Sequence, residues 1–163
     1  MILSVRNAGA RGDGAHVETA AIQDCIDRCA ANSGGEVLLE DGVFVSGTLY
    51  LKSGVTLRIA AGTKLLASPD IADYGTDTHR NRYVNEQDMD RCFLYAEDAE
   101  NVAIRGDGEI DGNAEAFPNP GDIHRPMMMR FLRCRNVRLE DLRLRNAAAW
   151  TAAFLDGAGA WRR

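Results

Sequence analysis

Gly54-Val-Thr-Leu-Arg-Ile59, Asn101-Val-Ala-Ile-Arg-Gly106 and Asn136-Val-Arg-Leu-Glu-Asp141 follow one pattern: a turn residue, then apolar positions alternating with polar ones. Alternation with a period of two puts one face of each segment in a core and the other in water. Glycine and asparagine are the residues that tolerate a left-handed backbone at little cost, so each segment starts at a bend. A bend followed by a half-buried strand, recurring at unequal intervals, is the unit of a coiled β-solenoid whose loops vary in length.

The sequence around these segments supports that reading. Between Val17 and Ala31 the apolar positions Ile22, Cys25, Ile26 and Cys29 fall at helical spacing, and Gly34-Gly35 follows as a stop signal. This predicts one helix over about 17–31 that covers the open end of the first coil. Beyond it, β-rich segments separated by glycine and aspartate turns predict coils over about 36–155 of a single domain spanning 1–163. Gly9, Gly12 and Gly14 mark a turn near the start. Matched two-residue hairpin turns are scarce, Asp41-Gly42 being the exception, so parallel coils fit better than the alternative of a β-sandwich. Two longer stretches interrupt the strands, from Pro69 to about Arg91 and from Ala114 to His124. Loops of that length in a compact domain are where function concentrates.

Composition excludes several roles. A net charge of −5 without a separate basic stripe argues against a nucleic-acid partner, since Arg133, Arg135, Arg138, Arg143 and Arg145 are interleaved with Glu140 and Asp141. No apolar run reaches membrane-spanning length, so no membrane association is expected. The start carries no leader-like pattern, which gives a cytoplasmic protein as the expectation. The four cysteines (Cys25, Cys29, Cys92, Cys134) lack metal or redox spacing and read as small buried apolar groups. His16, His79 and His124 are scattered, and no metal or cofactor is expected.

The order of motifs resembles one family. Asn7–Gly14, Thr19-Ala-Ala-Ile-Gln23, Gly47-Thr-Leu-Tyr-Leu-Lys52, Gly62–Ala67 with Ser68-Pro-Asp70, and Gly106-Asp-Gly-Glu-Ile-Asp-Gly112 are similar to polygalacturonases. So are Arg125-Pro126, Cys134-Arg-Asn-Val137, and Leu144-Arg-Asn146 followed by Trp150. These are glycoside hydrolases of family 28, in the pectate-lyase-like superfamily. The resemblance implies a right-handed parallel β-helix and inverting hydrolysis of galacturonan or a related pectic chain. In that mechanism one carboxylic acid protonates the leaving oxygen and a second carboxylate, about 6.5–9.5 Å away, activates water. The family's Asn-Thr-Asp, Asp-Asp, Gly-His-Gly and Arg-Ile-Lys segments do not occur here, and Asp77 in Gly-Thr-Asp-Thr lacks the preceding asparagine. No catalytic residue is therefore assigned. The expectation is the N-terminal portion of such a hydrolase, inactive alone, in a frame that reads as cut short after about Leu155.

The remaining candidates are for binding. His79, Arg80 and Arg82 in the first long loop, and Arg125 beside the second, could pair the carboxylates of an acidic oligosaccharide or polysaccharide. Asp107, Glu109 and Asp111 form the densest carboxylate run. Gly108 is expected to break their alternation and leave the acids facing water rather than holding calcium or acting as an acid/base pair. Trp150 is expected in the core, and Met127–Met129 are expected to alternate in and out. An end coil without a cap predicts self-association. Two other readings accompany the hydrolase: a non-catalytic β-helix that binds acidic glycans, and a structural or assembly β-helix.

Overall fold

The computed structural model describes residues 1–79, 90–118 and 125–157. The chain makes five coils of three sides. Sheet A is ordered β1(Ile2–Ser4), β3(Gly35–Leu39), β6(Val55–Ile59), β9(Glu100–Arg105), β12(Arg135–Glu140). Sheet B runs β2(Asp13–Val17), β4(Val43–Ser46), β7(Lys64–Ala67), β10(Glu109–Asp111), β13(Arg143–Arg145). Sheet C holds β5(Leu49–Tyr50), β8(Cys92–Glu97), β11(Met127–Leu132) and β14(Ala152–Leu155). Every pairing between these strands is parallel. This is a parallel β-helix, the architecture expected from the repeated turn-and-strand pattern.

The turn residues that opened the sequence reading stack on one another. Gly34, Gly54, Asn101 and Asn136 all have positive φ (110°, 73°, 56° and 52°), at the station where each coil enters sheet A. The Asn136 side-chain amide donates to the Asn101 carbonyl at 2.6 Å, so the asparagines form a ladder as well as a bend. Inside, like positions stack in the same way. Val37, Leu57 and Ile104 form one fully buried file, and Phe44, Leu65 and Ile110 form another.

In the first coil the side that sheet C would occupy is taken by α1(Thr19–Ala31), with Ile22, Cys25, Ile26 and Cys29 buried. It starts two residues later than the sequence spacing suggests, because Asp13–Val17 pairs with β4 as a strand and Glu18 N–H is held by Val45 O at 2.8 Å. The glycine-rich turn is correspondingly shorter. The helix also stands in for a strand chemically. Gln23 Oε1 accepts from Tyr50 N–H at 2.8 Å and its Nε2 donates to Tyr50 O at 3.0 Å, satisfying the edge of β5. Thr19 Oγ1 accepts from Gly47 N–H at 2.9 Å.

Two expectations need correction. Met127 packs on the outer side of sheet C, but Met128 and Met129 are both in the core, because alternation slips there and at Phe93-Leu94 on the neighbouring strand. Trp150 is 38% exposed rather than buried, since it lies in the turn before β14. The four cysteines are free and buried as expected.

Two stability measurements follow. Gly106 (φ 118°) has the Ile59 backbone where a Cβ would go, whereas Gly62 (φ 75°) has open space there. Gly62→Ala should cost only the backbone strain, about 1 kcal/mol, and Gly106→Ala should cost about 3 kcal/mol or more in urea unfolding. Equal losses would show that the close stacking at Gly106 is not stabilising.

The second concerns Glu36, which is nearly buried between Arg105 (2.5 Å) and Arg58 (3.1 Å) on sheet A. Burial alone would raise its carboxyl pKa, but the two arginine hydrogen bonds outweigh burial and hold it below the ordinary 4.5. A carboxyl lowered in the folded state stabilises the fold above its unfolded pKa and stops doing so as pH falls through the folded value. Thermal melts from about pH 6 down to about pH 3 should therefore lose stability more steeply in the wild type than in Glu36→Gln.

Candidate functional site

The outward face of sheet C carries a row of side chains that meets the first long loop. Tyr50, Tyr95, Arg130 and Ala153 face the same way on successive rungs of β5, β8, β11 and β14. They pack with Cys92 and Met127 into an apolar layer separate from the core. Tyr50 and Tyr95 meet edge to face, with centroids 6.1 Å apart.

The segment after β7 crosses this layer. Asp70 accepts from Ala72 N–H at 2.9 Å to start a short 3-10 turn, Ile71–Asp73. The buried Tyr74 then donates its hydroxyl to Ser68 O at 2.7 Å, and Arg91 holds Tyr74 O at 2.7 Å. Gly75 N–H donates to Thr48 Oγ1 at 2.9 Å. Tyr50 donates its hydroxyl to Asp77. His79 N–H donates to the Tyr95 hydroxyl at 3.1 Å, and that hydroxyl donates to Glu97 at 2.9 Å. The Arg130 guanidinium donates to His79 O, and the Arg130 side chain is almost completely buried. Burial pushes the Tyr95 hydroxyl up to about 12; burial together with Asp77 pushes Tyr50 higher still. Both tyrosines are thus neutral donors and acceptors.

Of the four predicted binding residues, His79 is joined to this face and Arg125 lies in the turn before β11. His79 reaches Tyr95 and Arg130 through its backbone N–H and carbonyl, while its ring Nδ1 is buried. Half-buried Arg125 is one coil further along, where its guanidinium donates to Ala148 O at 3.2 Å. Trp150 lies on the next rung, its carbonyl accepting Met128 N–H at 2.9 Å. Arg80 and Arg82 lie outside the described residues. Tyr50, Tyr95 and Arg130 were missed by sequence reasoning. The signal was Leu49-Tyr50, Leu94-Tyr95 and Met129-Arg130, an inward apolar residue followed by an outward polar one at the same station of three coils.

The carboxylate run resolves differently. Asp107 is in a turn, as expected of Gly108 breaking the strand, but Glu109 and Asp111 share the outer face of sheet B and are not bathed in water. Lys64 Nζ lies 3.0 Å from Glu109 Oε1 and 3.3 Å from Asp111 Oδ2. Arg145 lies 3.5 Å from the other Glu109 oxygen, and the Asn113 N–H donates to Asp111 at 2.9 Å. The acids are committed to ion pairs between coils. Among the described residues no group of three or more His, Cys, Asp or Glu is placed to hold a metal ion, and no helix is long and apolar enough to cross a membrane.

No family model matches the chain. It is 34% identical over 119 residues to an exo-poly-alpha-D-galacturonosidase of Dickeya chrysanthemi, covering 69% of this chain and 19% of that one. It is 34% identical over 110 residues to a polygalacturonase of Ralstonia solanacearum, covering 64% of this chain and 21% of that one. The family 28 exopolygalacturonase of Yersinia enterocolitica superposes with a TM-score of 0.78 at 25% identity, over 96% of this chain and 36% of the other. The chain thus spans about a fifth of the length of these curated relatives. The chain belongs to the polygalacturonase-like glycoside hydrolases of family 28, within the pectate-lyase-like right-handed β-helix superfamily.

Proposed function

We propose that this chain forms the capped end and one part of the carbohydrate face of a hydrolase acting on galacturonan-type pectic chains. The reaction is inverting hydrolysis by a pair of carboxylates. The observation that carries the reading is an outward side of sheet C built on paired tyrosines and met by the backbone of His79, with half-buried Arg125 and exposed Trp150 in the turns that lead into β11 and β14, in a chain whose net charge is −5. An acidic protein attracts a polyanion only where cations are gathered locally. Arg125 suits a uronate carboxylate, because a guanidinium can present two parallel N–H donors. An exposed indole offers a flat apolar surface of the kind that packs on a sugar ring. The acids of sheet B supply no free acid/base pair, since Lys64 and Arg145 hold them. The chain by itself therefore binds without cleaving. An exo-poly-alpha-D-galacturonosidase and a polygalacturonase among the relatives support the same substrate. Nothing in the geometry favours a purely structural module.

Calorimetric titration with galacturonan oligomers tests this reading. Binding should be measurable, should weaken as salt is raised, and should release no reducing ends. Arg125→Ala should weaken it about fivefold to tenfold, the worth of one charge-assisted hydrogen bond at a half-exposed position. Equal affinity for an uncharged galactan would remove the acidic-glycan reading.

A second property concerns the far end of the stack. Among the described residues β12, β13 and β14 have no strand on their outer side. Phe154 is 38% exposed although it stacks on core Phe131 at 5.0 Å, and Leu139 and Leu144 are only partly covered. We propose that the polypeptide 1–163, expressed alone, self-associates through this end. Sedimentation should show mass rising with concentration, and Phe154→Lys should reduce that rise. A monomer at every concentration would refute the idea.

A further inference from the structure

Strand β12 carries its own charge complement along an open edge. Among the described residues no strand lies on its outer side. Val137 and Leu139 point into the stack, in register with buried Val102 and Ile104 of β9, so Arg138 and Glu140 point outward. Lower in sheet A the outward charges are already matched, since Glu36 holds both Arg58 and Arg105. On β12 the match is incomplete. Arg138 lies 3.9 Å from Glu140 of its own strand and makes no other ion pair among the described residues. Positions i and i+2 of one strand stand about 6.7 Å apart, whereas directly opposed residues on antiparallel strands stand about 4.5–5.5 Å apart. A neighbouring strand would therefore serve both charges better than they serve each other.

A second copy can approach this edge in two ways. Head-to-tail stacking would set the first coil of one copy on the last coil of another. Helix α1 blocks it, because a helix about 10 Å across occupies the sheet C side of the first coil, where a strand spacing is about 4.8 Å. We infer that polypeptide 1–163 pairs end to end as a closed two-fold dimer, β12 running antiparallel to β12 of the second copy with Leu139 on the axis. The inference rests on the self-association reading above and names its geometry. A two-fold contact is self-complementary, so Arg138 meets Glu140 of the second copy and Glu140 meets its Arg138. Registers centred on Arg138 or on Glu140 would oppose like charges, which is destabilising across strands. Centring on Leu139 opposes unlike charges outside and sets leucine against leucine inside. The same rotation brings sheet B of one copy to sheet C of the other, so Arg143 and Arg145 face β14 and not their own counterparts. Each copy closes the other's edges, and assembly stops at two.

Sedimentation equilibrium over a concentration series tests this geometry. The mass should level off at two chains. Arg138→Glu and Glu140→Arg each place like charges on both sides of the axis and should weaken the dimer about tenfold or more. The double variant Arg138→Glu/Glu140→Arg restores unlike charges and should return the dimer to within about threefold of wild type, a recovery that damage to the fold does not produce. Mass rising beyond two chains, or a double variant no better than the single ones, overturns the two-fold geometry and leaves self-association standing. A monomer at every concentration overturns both.

Discussion

Parallel coils can stack only if each one bends at the same station as the coil below it. Positive φ at Gly34, Gly54, Asn101 and Asn136 meets that requirement, and the rest of the structure depends on it. A bend one residue early would move every following side chain to the opposite face, taking the Val37–Leu57–Ile104 file out of the core. The left-handed conformation costs about 1–2 kcal/mol at an ordinary residue, so glycine and asparagine recur at this station. Asparagine adds what glycine cannot, because its amide reaches the asparagine of the adjacent coil. The constraint is local in sequence, yet it fixes the register of three sheets.

Register alone leaves edges. A parallel strand without a neighbour exposes a row of donors and acceptors, and at the first coil α1 replaces the missing strand of sheet C. The replacement is chemical as well as steric. Gln23 presents one acceptor and one donor to the N–H and C=O of Tyr50, the same pair of bonds a neighbouring backbone would make. Thr19 performs half of that service for Gly47. Four buried residues on the opposite face of the same helix close the core. The helix is thus specified by two patterns read at once: apolar residues at helical spacing toward the core, and polar side chains placed to finish a sheet.

These two devices explain why the fold was legible and why much of the site was not. Turn residue, alternation and helix spacing are properties of neighbours along the chain, and the structure keeps them nearly where the sequence puts them. Deviations occur where a partner far away in sequence decides. Asp13–Val17 became a strand because β4 was available to pair with it, and Met128 turned inward because Phe93 did so beside it. The outward face of sheet C lies wholly on that second level. Nothing near Tyr50 announces Asp77, and nothing near His79 announces Arg130, since each meets its partner across coils. Loop cations could be found by composition; the rungs beneath them could be found only by aligning the coils. The carboxylates of sheet B illustrate the same limit from the other side. Their spacing left several roles open, and the lysine that pairs with both comes from the preceding coil.

Arg130 links the two halves of the argument. Placing a guanidinium almost wholly out of water is costly, and the position is tolerable only if protein groups replace its hydration. One replacement is the His79 carbonyl, which belongs to the crossing segment, and another is the sulfur of Met127 on its own strand. A lysine would supply a point charge without the planar fork that reaches in two directions, so the position calls for arginine specifically. The dependence runs both ways. Without the crossing segment the arginine would lose the His79 carbonyl; without the arginine the segment would lose its attachment to the third rung. A layer of apolar and aromatic side chains on the outside of a solenoid would ordinarily be an exposed patch. Here most of it is covered: Cys92, Tyr95, Met127 and Ala153 are all buried.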